Sequence, residues 1–388
     1  MAQPVRIEPD LQFVKELQAV GGDSLKKCYQ CATCSVACPI SPASNPYPRK
    51  EMVWASWGLK EKLINNPDIW LCHNCGTCSD LCPRGAKPGD LLSALRNMAY
   101  QRVNLFPAIG KWMSSPKYLI HLIAIPAIIW AIVWFIRASQ LGTAFPVTPS
   151  GDIVFGLLFP GDFTIDPIFM ATFFGMVFCF FKGTKNLIDS FKPEGTTLVL
   201  GKQKPLLMCL KDVLLEEVMT HKKFKDCGDD RSDRKAGHML VFYAFLALMV
   251  VTGLIAVAHW GGKVIPAIDL LHTPLNLTNP VKILANVGAI MLIVGLAILT
   301  NNRRSQDDAK TKSNYYDWYL LNVIWAVALT GVLSQLTRLA GIPQIAYVVY
   351  YLHLVTVWML FAYLPWSKLG HLVYRTAALT YVRHMGRR

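Results

Sequence analysis

Charge is scarce in this sequence: Asp, Glu, Lys and Arg supply 16% of its 388 residues, against 53% hydrophobic. Soluble chains carry about 25% charge, so an ordinary two- or three-domain soluble protein is excluded and most of the chain is expected to be membrane-embedded. Negative charge is the scarcer sign, 25 residues against 39 Lys and Arg, leaving a net +14. The excess does not point to nucleic acid. It lies in short runs beside long apolar segments, where the positive-inside rule places it. No basic, apolar leader precedes the first cysteine, so a secreted, disulfide-stapled fold is not expected either, although the chain has eleven cysteines.

Residues 1–110 also lack any apolar run near the roughly 20 residues a bilayer-spanning helix needs. After Pro116 the composition changes, with apolar runs at 118–136, 238–260, 281–300, 316–336 and 345–364. A shorter run, 167–181, follows a stretch broken by Pro160, Gly161, Asp162 and Asp166. Residues 182–235 carry twelve Lys and Arg, 303–312 carry four and 368–388 carry five. If 167–181 spans, all three basic segments fall on the same side as the N-terminal region. Six spans with both termini on the cytoplasmic side of the inner membrane satisfy the charge rule. The expected fold is therefore mainly α: a soluble, Cys-rich domain at 1–110 and a six-helix transmembrane bundle at 111–388, with a cytoplasmic loop at 182–236. Helical periodicity at 206–224, with Lys211, Asp212, Glu216 and His221 on its polar side, predicts a surface helix in that loop. A second helix is expected over 51–64, ending at the Asn65-Asn66-Pro67 turn.

Eight of the eleven cysteines fall between Cys28 and Cys82, in two copies of one pattern. The first reads Cys28-Tyr-Gln-Cys31-Ala-Thr-Cys34-Ser-Val-Ala-Cys38-Pro39 and the second Cys72-His-Asn-Cys75-Gly-Thr-Cys78-Ser-Asp-Leu-Cys82-Pro83. C-x2-C-x2-C-x3-C-P is the run whose first three thiolates hold three irons of a 4Fe-4S cube while the fourth reaches the other cluster. The spacing assigns Cys28, Cys31, Cys34 and Cys82 to one cluster, and Cys72, Cys75, Cys78 and Cys38 to the other. Zinc would be satisfied by four ligands and needs neither the third cysteine of each triplet nor the duplication. About thirty residues separate Cys38 from Cys72, an inserted element; its Trp54, Trp57 and Trp70 read as packing residues. Cys179, Cys209 and Cys227 read as inert.

Two such clusters carry single electrons, so the membrane body should hold a redox partner. Ionisable residues in spans are costly and mark function. His238 and His259 lie at the two ends of the third span, and His353 and His371 in and just beyond the sixth. By level, His238 pairs with His371 and His259 with His353. The eighteen residues from His353 to His371 make five full turns, placing both on one face of an unbroken helix, with Pro365 between them. His238 and His259 are twenty-one residues, or about 31 Å, apart, so His272 and His121 stand as other candidates for the outer position. Two bis-imidazole haems explain four such histidines, and because no C-x-x-C-H occurs, the haem is b-type. Arg375, Lys368 and Arg338 are candidate partners for propionates.

At this point the residues resemble known families. The head resembles the iron–sulfur C-subunit of heterodisulfide reductase, including the inserted element and the sequence Cys82-Pro-Arg-Gly-Ala-Lys-Pro. The body resembles the cytochrome b subunits of that reductase and of respiratory nitrate reductase (its gamma subunit), in His238-Met-Leu-Val-Phe-Tyr-Ala-Phe-Leu-Ala-Leu and in the stretch from His353 through Leu-Pro365-Trp-Ser-Lys-Leu-Gly-His371. The fusion of the two is similar to the C-subunit of the quinone-interacting membrane-bound oxidoreductases of sulfate-reducing microbes. That resemblance implies a component of a quinone-dependent oxidoreductase with two haem b, menaquinone as substrate, and soluble flavin/iron–sulfur partner subunits passing electrons toward adenylylsulfate reductase in sulfate respiration. Two rival expectations are a heterodisulfide reductase-type subunit using methanophenazine, and a haem-free anchor carrying a ferredoxin head. No residue pattern singles out a quinone site.

Overall fold

A computed structural model describes residues 8–43, 45–191, 202–222, 232–305 and 313–386. Phe224 and Cys227 lie outside the described residues. Among those described the chain is helical and contains no strand. The head runs through α1 (Leu11–Leu17), α2 (Thr33–Val36), α3 (Arg49–Ser56), α4 (Lys60–Ile64), α5 (Asp68–Leu71), α6 (Thr77–Asp80), α7 (Pro88–Val103) and α8 (Pro107–Met113). The body follows as α9 (Leu119–Leu141), α10 (Asp166–Ser190), α11 (Leu206–Val213), α12 (Ser232–Gly262), α13 (Pro280–Arg304), α14 (Tyr315–Leu339), α15 (Pro343–Ala362) and α16 (His371–His384).

Among the described residues, six helical segments are long and apolar enough to cross a membrane: Pro116–Leu141, Gly161–Ser190, Lys235–Gly262, Pro280–Arg304, Tyr315–Leu339 and Pro343–Ala362. The second is longer than its apolar run, because a π-helical turn at Gly161–Ile165 feeds α10 and the helix continues through Lys182 and Lys185. Pro126 inside α9 cannot donate to the carbonyl of Leu122. That carbonyl instead accepts from the Tyr363 hydroxyl at 3.0 Å, and the Ala127 carbonyl from Tyr351 at 2.9 Å. Tyr351 lies on α15 and Tyr363 caps its end, so re-satisfying the Leu122 carbonyl, which lipid cannot do, also fixes α9 against α15. Helices α12 and α13 approach through glycine: a Cβ on Gly295 would stand 2.9 Å from the Val241 side chain and 3.0 Å from the Gly237 carbonyl. Close backbone contact of this kind drives association where lipid removes the hydrophobic drive.

Two expected helices are cut short. The element after Cys38 is α3 and α4 rather than one helix over 51–64. Gly58, at φ +67°, turns the chain between them, and a Cβ there would lie 2.9 Å from the backbone of Asp10. The loop helix runs from Leu206 to Met219, its last turns π-helical, and His221 follows it at φ 48° as a buried residue rather than on a polar face. This helix packs on α16.

Head and body share one apolar core running from Phe13 to Val382. At the joint Trp70, Tyr100 and Tyr374 form a ring cluster with centroids 5.4 to 6.1 Å apart. Asn104 accepts from the Tyr374 hydroxyl at 2.7 Å and donates to the Pro365 carbonyl at 3.0 Å. Asp317 at the start of α14 is buried beneath Lys368 and Arg303, the latter 3.4 Å away. Because Trp70 is completely buried, Trp70→Ala is expected to cost about 3–5 kcal/mol of stability. Calorimetric unfolding of the detergent-solubilised chain should record the lower transition.

Candidate functional site

The two cysteine motifs fold alike. In each, the second residue after the first cysteine has positive φ, Gln30 at 60° and Asn74 at 53°. The residue after the second cysteine does too, Ala32 at 69° and Gly76 at 85°. These left-handed steps curl the loop so that successive thiols face inward, and α2 and α6 then carry the third cysteine of each triplet. Backbone N–H groups point at sulfur: Gln30 donates to Cys28 Sγ at 3.4 Å and Asn74 to Cys72 Sγ at 3.2 Å. Thr33 and Thr77 place hydroxyls 3.3 Å from Cys31 and Cys75.

Two cysteine-lined cavities result. One is lined by Cys28, Cys31, Cys34 and Cys82, with Arg49 and Arg84 at its rim. The other is lined by Cys72, Cys75, Cys78 and Cys38, with His73 and Tyr47. The fourth cysteine of each motif thus lies in the other motif's cavity. Burial and neighbouring sulfur push the Cys34 thiol up to about 11; burial does the same to Cys38, and Cys78 is driven higher still. As free thiols these three side chains therefore remain protonated. A donor set of four thiols with inward amides fits an iron–sulfur cube, whose iron supplies the positive charge that stabilises thiolates.

The membrane-side histidines are held in different ways. His371, the first residue of α16, has Nδ1 2.6 Å from the Lys368 carbonyl. A carbonyl only accepts, so Nδ1 carries the proton and Nε2 keeps its lone pair. Burial holds the imidazole down to about 4, neutral at physiological pH. His353 on α15 has Nδ1 3.0 Å from the Thr330 hydroxyl. That hydroxyl donates to the Ala326 carbonyl at 2.6 Å, so it accepts from His353 and leaves Nε2 unprotonated by the same logic. An outer partner fixing one ring nitrogen while the other is offered to metal is the usual surrounding of a ligating histidine.

His371 and His353 do not share one straight helix: α15 ends at Ala362 and two 3-10 turns, Leu364–Trp366 and Lys368–Gly370, intervene. Pro365 has no N–H to continue the helix, so the eighteen-residue spacing does not set a common face. His238 on α12 has Nδ1 2.8 Å from Nε2 of His221. Periodicity alone puts His221 on the polar side of the loop helix; only the left-handed backbone turns it inward to His238, and nothing in the periodicity signals that. His259 points Nε2 at the Asp162 carboxylate, which also meets Lys263 at 2.7 Å. His272 is largely exposed beside Asp269, and His121 packs at a tilt against the rings of Trp112 and Tyr118. Of the candidate propionate partners, Lys368 pairs with Asp317, and Arg375 is spent at the head, where it donates to the Trp70 carbonyl at 3.0 Å and meets His73 Nδ1 at 2.9 Å.

Comparison with known proteins bears on both halves. Residues 24–86 match the family described as 4Fe-4S dicluster domain, and residues 216–388 match the family described as Citrate utilization protein B. The head is similar to the C-subunit of the H(2):CoB-CoM heterodisulfide,ferredoxin reductase of Methanothermobacter marburgensis, 38% identical over 100 residues, 26% of this chain and 54% of that protein. It is also similar to an iron-sulfur C-subunit of the CoB--CoM heterodisulfide reductase of Methanocaldococcus jannaschii, 36% identical over 104 residues, 27% of this chain and 54% of the relative. The chain spans about half the length of these curated relatives. A further 183 residues, 45% of the chain, are 25% identical to the E-subunit of the dihydromethanophenazine:CoB--CoM heterodisulfide reductase of Methanosarcina thermophila, covering 65% of that protein. No solved structure matches. One polypeptide thus joins an N-terminal 4Fe-4S dicluster domain, similar to the heterodisulfide reductase C-subunit, to a multi-helix membrane body similar to the E-subunit.

Proposed function

We propose that this chain is the membrane electron-transfer subunit of a quinone-dependent oxidoreductase. It oxidises menaquinol within the bilayer and delivers electrons to soluble flavin/iron–sulfur subunits at the cytoplasmic face, and through them to adenylylsulfate reductase. In this reading residues 1–110 form the cluster domain and 111–388 the dihaem cytochrome b, with both termini cytoplasmic. Cys28, Cys31, Cys34 and Cys82 hold one cluster and Cys72, Cys75, Cys78 and Cys38 the other. His238 and His371 hold one haem b, and His259 and His353 the second. Clusters and haems, when bound, supply single-electron carriage between a two-electron quinol and the partner.

The observation that carries the reading is the joint. His371 and Arg375 are one helical turn apart on α16, and Arg375 clamps the backbone of Trp70 and the ring of His73 on either side of Cys72. Arg96 donates to the Cys72 carbonyl at 2.8 Å from within the head. A histidine offering Nε2 thus sits one helical turn from the residue that clamps a cluster loop, a fixed spacing of the kind that transfer between carriers requires. His259 would have to exchange its Asp162 contact for iron, which keeps His272 as the other candidate for that position.

The test is a redox-titrated optical and EPR spectrum of the purified chain, with and without a menaquinol analogue, beside a pyridine haemochrome assay. Two haem b per chain and quinol-dependent reduction of haem together with clusters are expected. Absence of haem b would leave a haem-free anchor, and clusters bleached while haem stays oxidised would sink the route. The similarity to the dihydromethanophenazine-linked E-subunit favours a second reading, a heterodisulfide reductase-type subunit using methanophenazine. Copurification of the soluble partners separates the two.

A further inference from the structure

The two cysteine cages are equivalent in backbone but opposite in surroundings. Around Cys72 the structure closes: His73 is held by Arg375, the Trp70 and Cys72 carbonyls accept from Arg375 and Arg96, and Trp70 and Leu71 are buried in the joint with α16. Around Cys28 it opens. Cys31 is exposed, where its counterpart Cys75 is half-buried. Tyr29, the counterpart of His73, is 67% exposed; Val36, two residues after Cys34, and Leu81, next to Cys82, are 87% and 56% exposed. Two hydrogen bonds within the head brace this cage: Arg49 donates to the Gln30 carbonyl at 2.9 Å and Lys87 N to Ser24 Oγ at 2.8 Å.

The rim of this opening is cationic. Residues 26–36, 49 and 81–88 contain Lys26, Lys27, Arg49, Arg84 and Lys87 and no Asp or Glu, with Asp80 at the border. Lys26, Lys27, Arg49 and Arg84 are all exposed, and Arg84 lies 4.1 Å over the Tyr29 ring. Exposed apolar side chains and charges of one sign, beside an exposed redox ligand, have the anatomy of a small transient docking face. Small interfaces of this type suit redox encounters, and complementary charge sets their on-rate.

We propose that the face around Cys31, Tyr29 and Arg84 is the port through which the head exchanges electrons with a soluble acidic redox protein, while the Cys72 cage is the port to the membrane body. Exchange moves one electron from the head to the partner and makes no bond. The proposal deepens the electron-transfer reading of the head, and it depends on neither haem nor quinol.

The test is stopped-flow mixing of the full chain, its clusters chemically reduced and excess reductant removed, with oxidised flavodoxin as an acidic probe. The Lys26→Glu, Lys27→Glu, Arg84→Glu triple variant is expected to react about tenfold more slowly at low salt, to lose the ionic-strength dependence, and to react faster than the unaltered chain with cationic cytochrome c. Lys15→Glu, an exposed charge reversal on α1, should leave the rate unchanged. Iron content and EPR signals report that both clusters persist. If the reversed variant fails to hold iron, the Lys26→Gln, Lys27→Gln, Arg84→Gln set carries the same test, with a drop of about threefold. An unchanged rate in the variant that holds iron, or an equal loss in Lys15→Glu, overturns the port. Failure of quinol to reduce the haems would leave this result standing, so the two readings fall separately.

Discussion

Cys38→Ser is expected to abolish the same EPR signal as Cys78→Ser, although Cys38 lies in the other sequence motif, and each variant should lower bound iron from about eight to about four atoms per chain. The expectation follows from the cavities: Cys38 lines the cage of Cys72, Cys75 and Cys78, and Cys82 that of Cys28, Cys31 and Cys34. Cys78 is buried among the sulfurs of Cys72, Cys75 and Cys38, so no water can replace it as a ligand without opening the cage. The reciprocal pair, Cys82→Ser with Cys34→Ser, should remove the other signal. Cys209→Ser should remove neither, because Cys209 is a buried packing residue between α11 and the rest of the body. If Cys38→Ser silenced the signal lost in Cys34→Ser, each motif would hold its own cluster and the crossed assignment would fail.

The gathering of eight thiols around two cavities was legible because its information is largely local. Spacings of two and three residues fix which thiols one loop can gather, and the repeat announces itself. The six apolar segments were legible for a similar reason, since a bilayer imposes length and composition on each span separately. What was hidden depends on contacts distant in sequence. Gly58 breaks the helix after Cys38 because the backbone of Asp10 crosses there, and no periodicity carries that. The helix after His353 stops at Ala362 because Pro365 cannot pair; the proline was visible, but its effect on the facing of His371 needed the 3-10 turns that follow. The Arg375 to His73 contact joins residues 302 apart, and His221, itself at a left-handed φ, meets His238 through their ring nitrogens.

His353→Ala and His371→Ala are each expected to halve the haem b of the purified chain, from about two per chain to about one, read by pyridine haemochrome. Both imidazoles have their Nδ1 proton committed, His371 to the Lys368 carbonyl and His353 to Thr330. Each therefore offers Nε2 as the atom that would hold a haem iron. Thr330 extends the argument one step outward. Thr330→Val keeps the shape but removes the acceptor that sets the His353 tautomer, and loss of such a partner weakens metal binding by about 10–100-fold. The valine variant should thus retain the His371-dependent haem and shed the other on dilution, whereas Thr330→Ser, which keeps the hydroxyl, should retain both. His371→Ala should in addition stop a menaquinol analogue from reducing the head while leaving chemical reduction of its clusters intact, because α16 carries both His371 and the Arg375 clamp on the Cys72 loop. Two haems retained in both alanine variants would remove these histidines from the ligand set, and with them the route from the bilayer to the head.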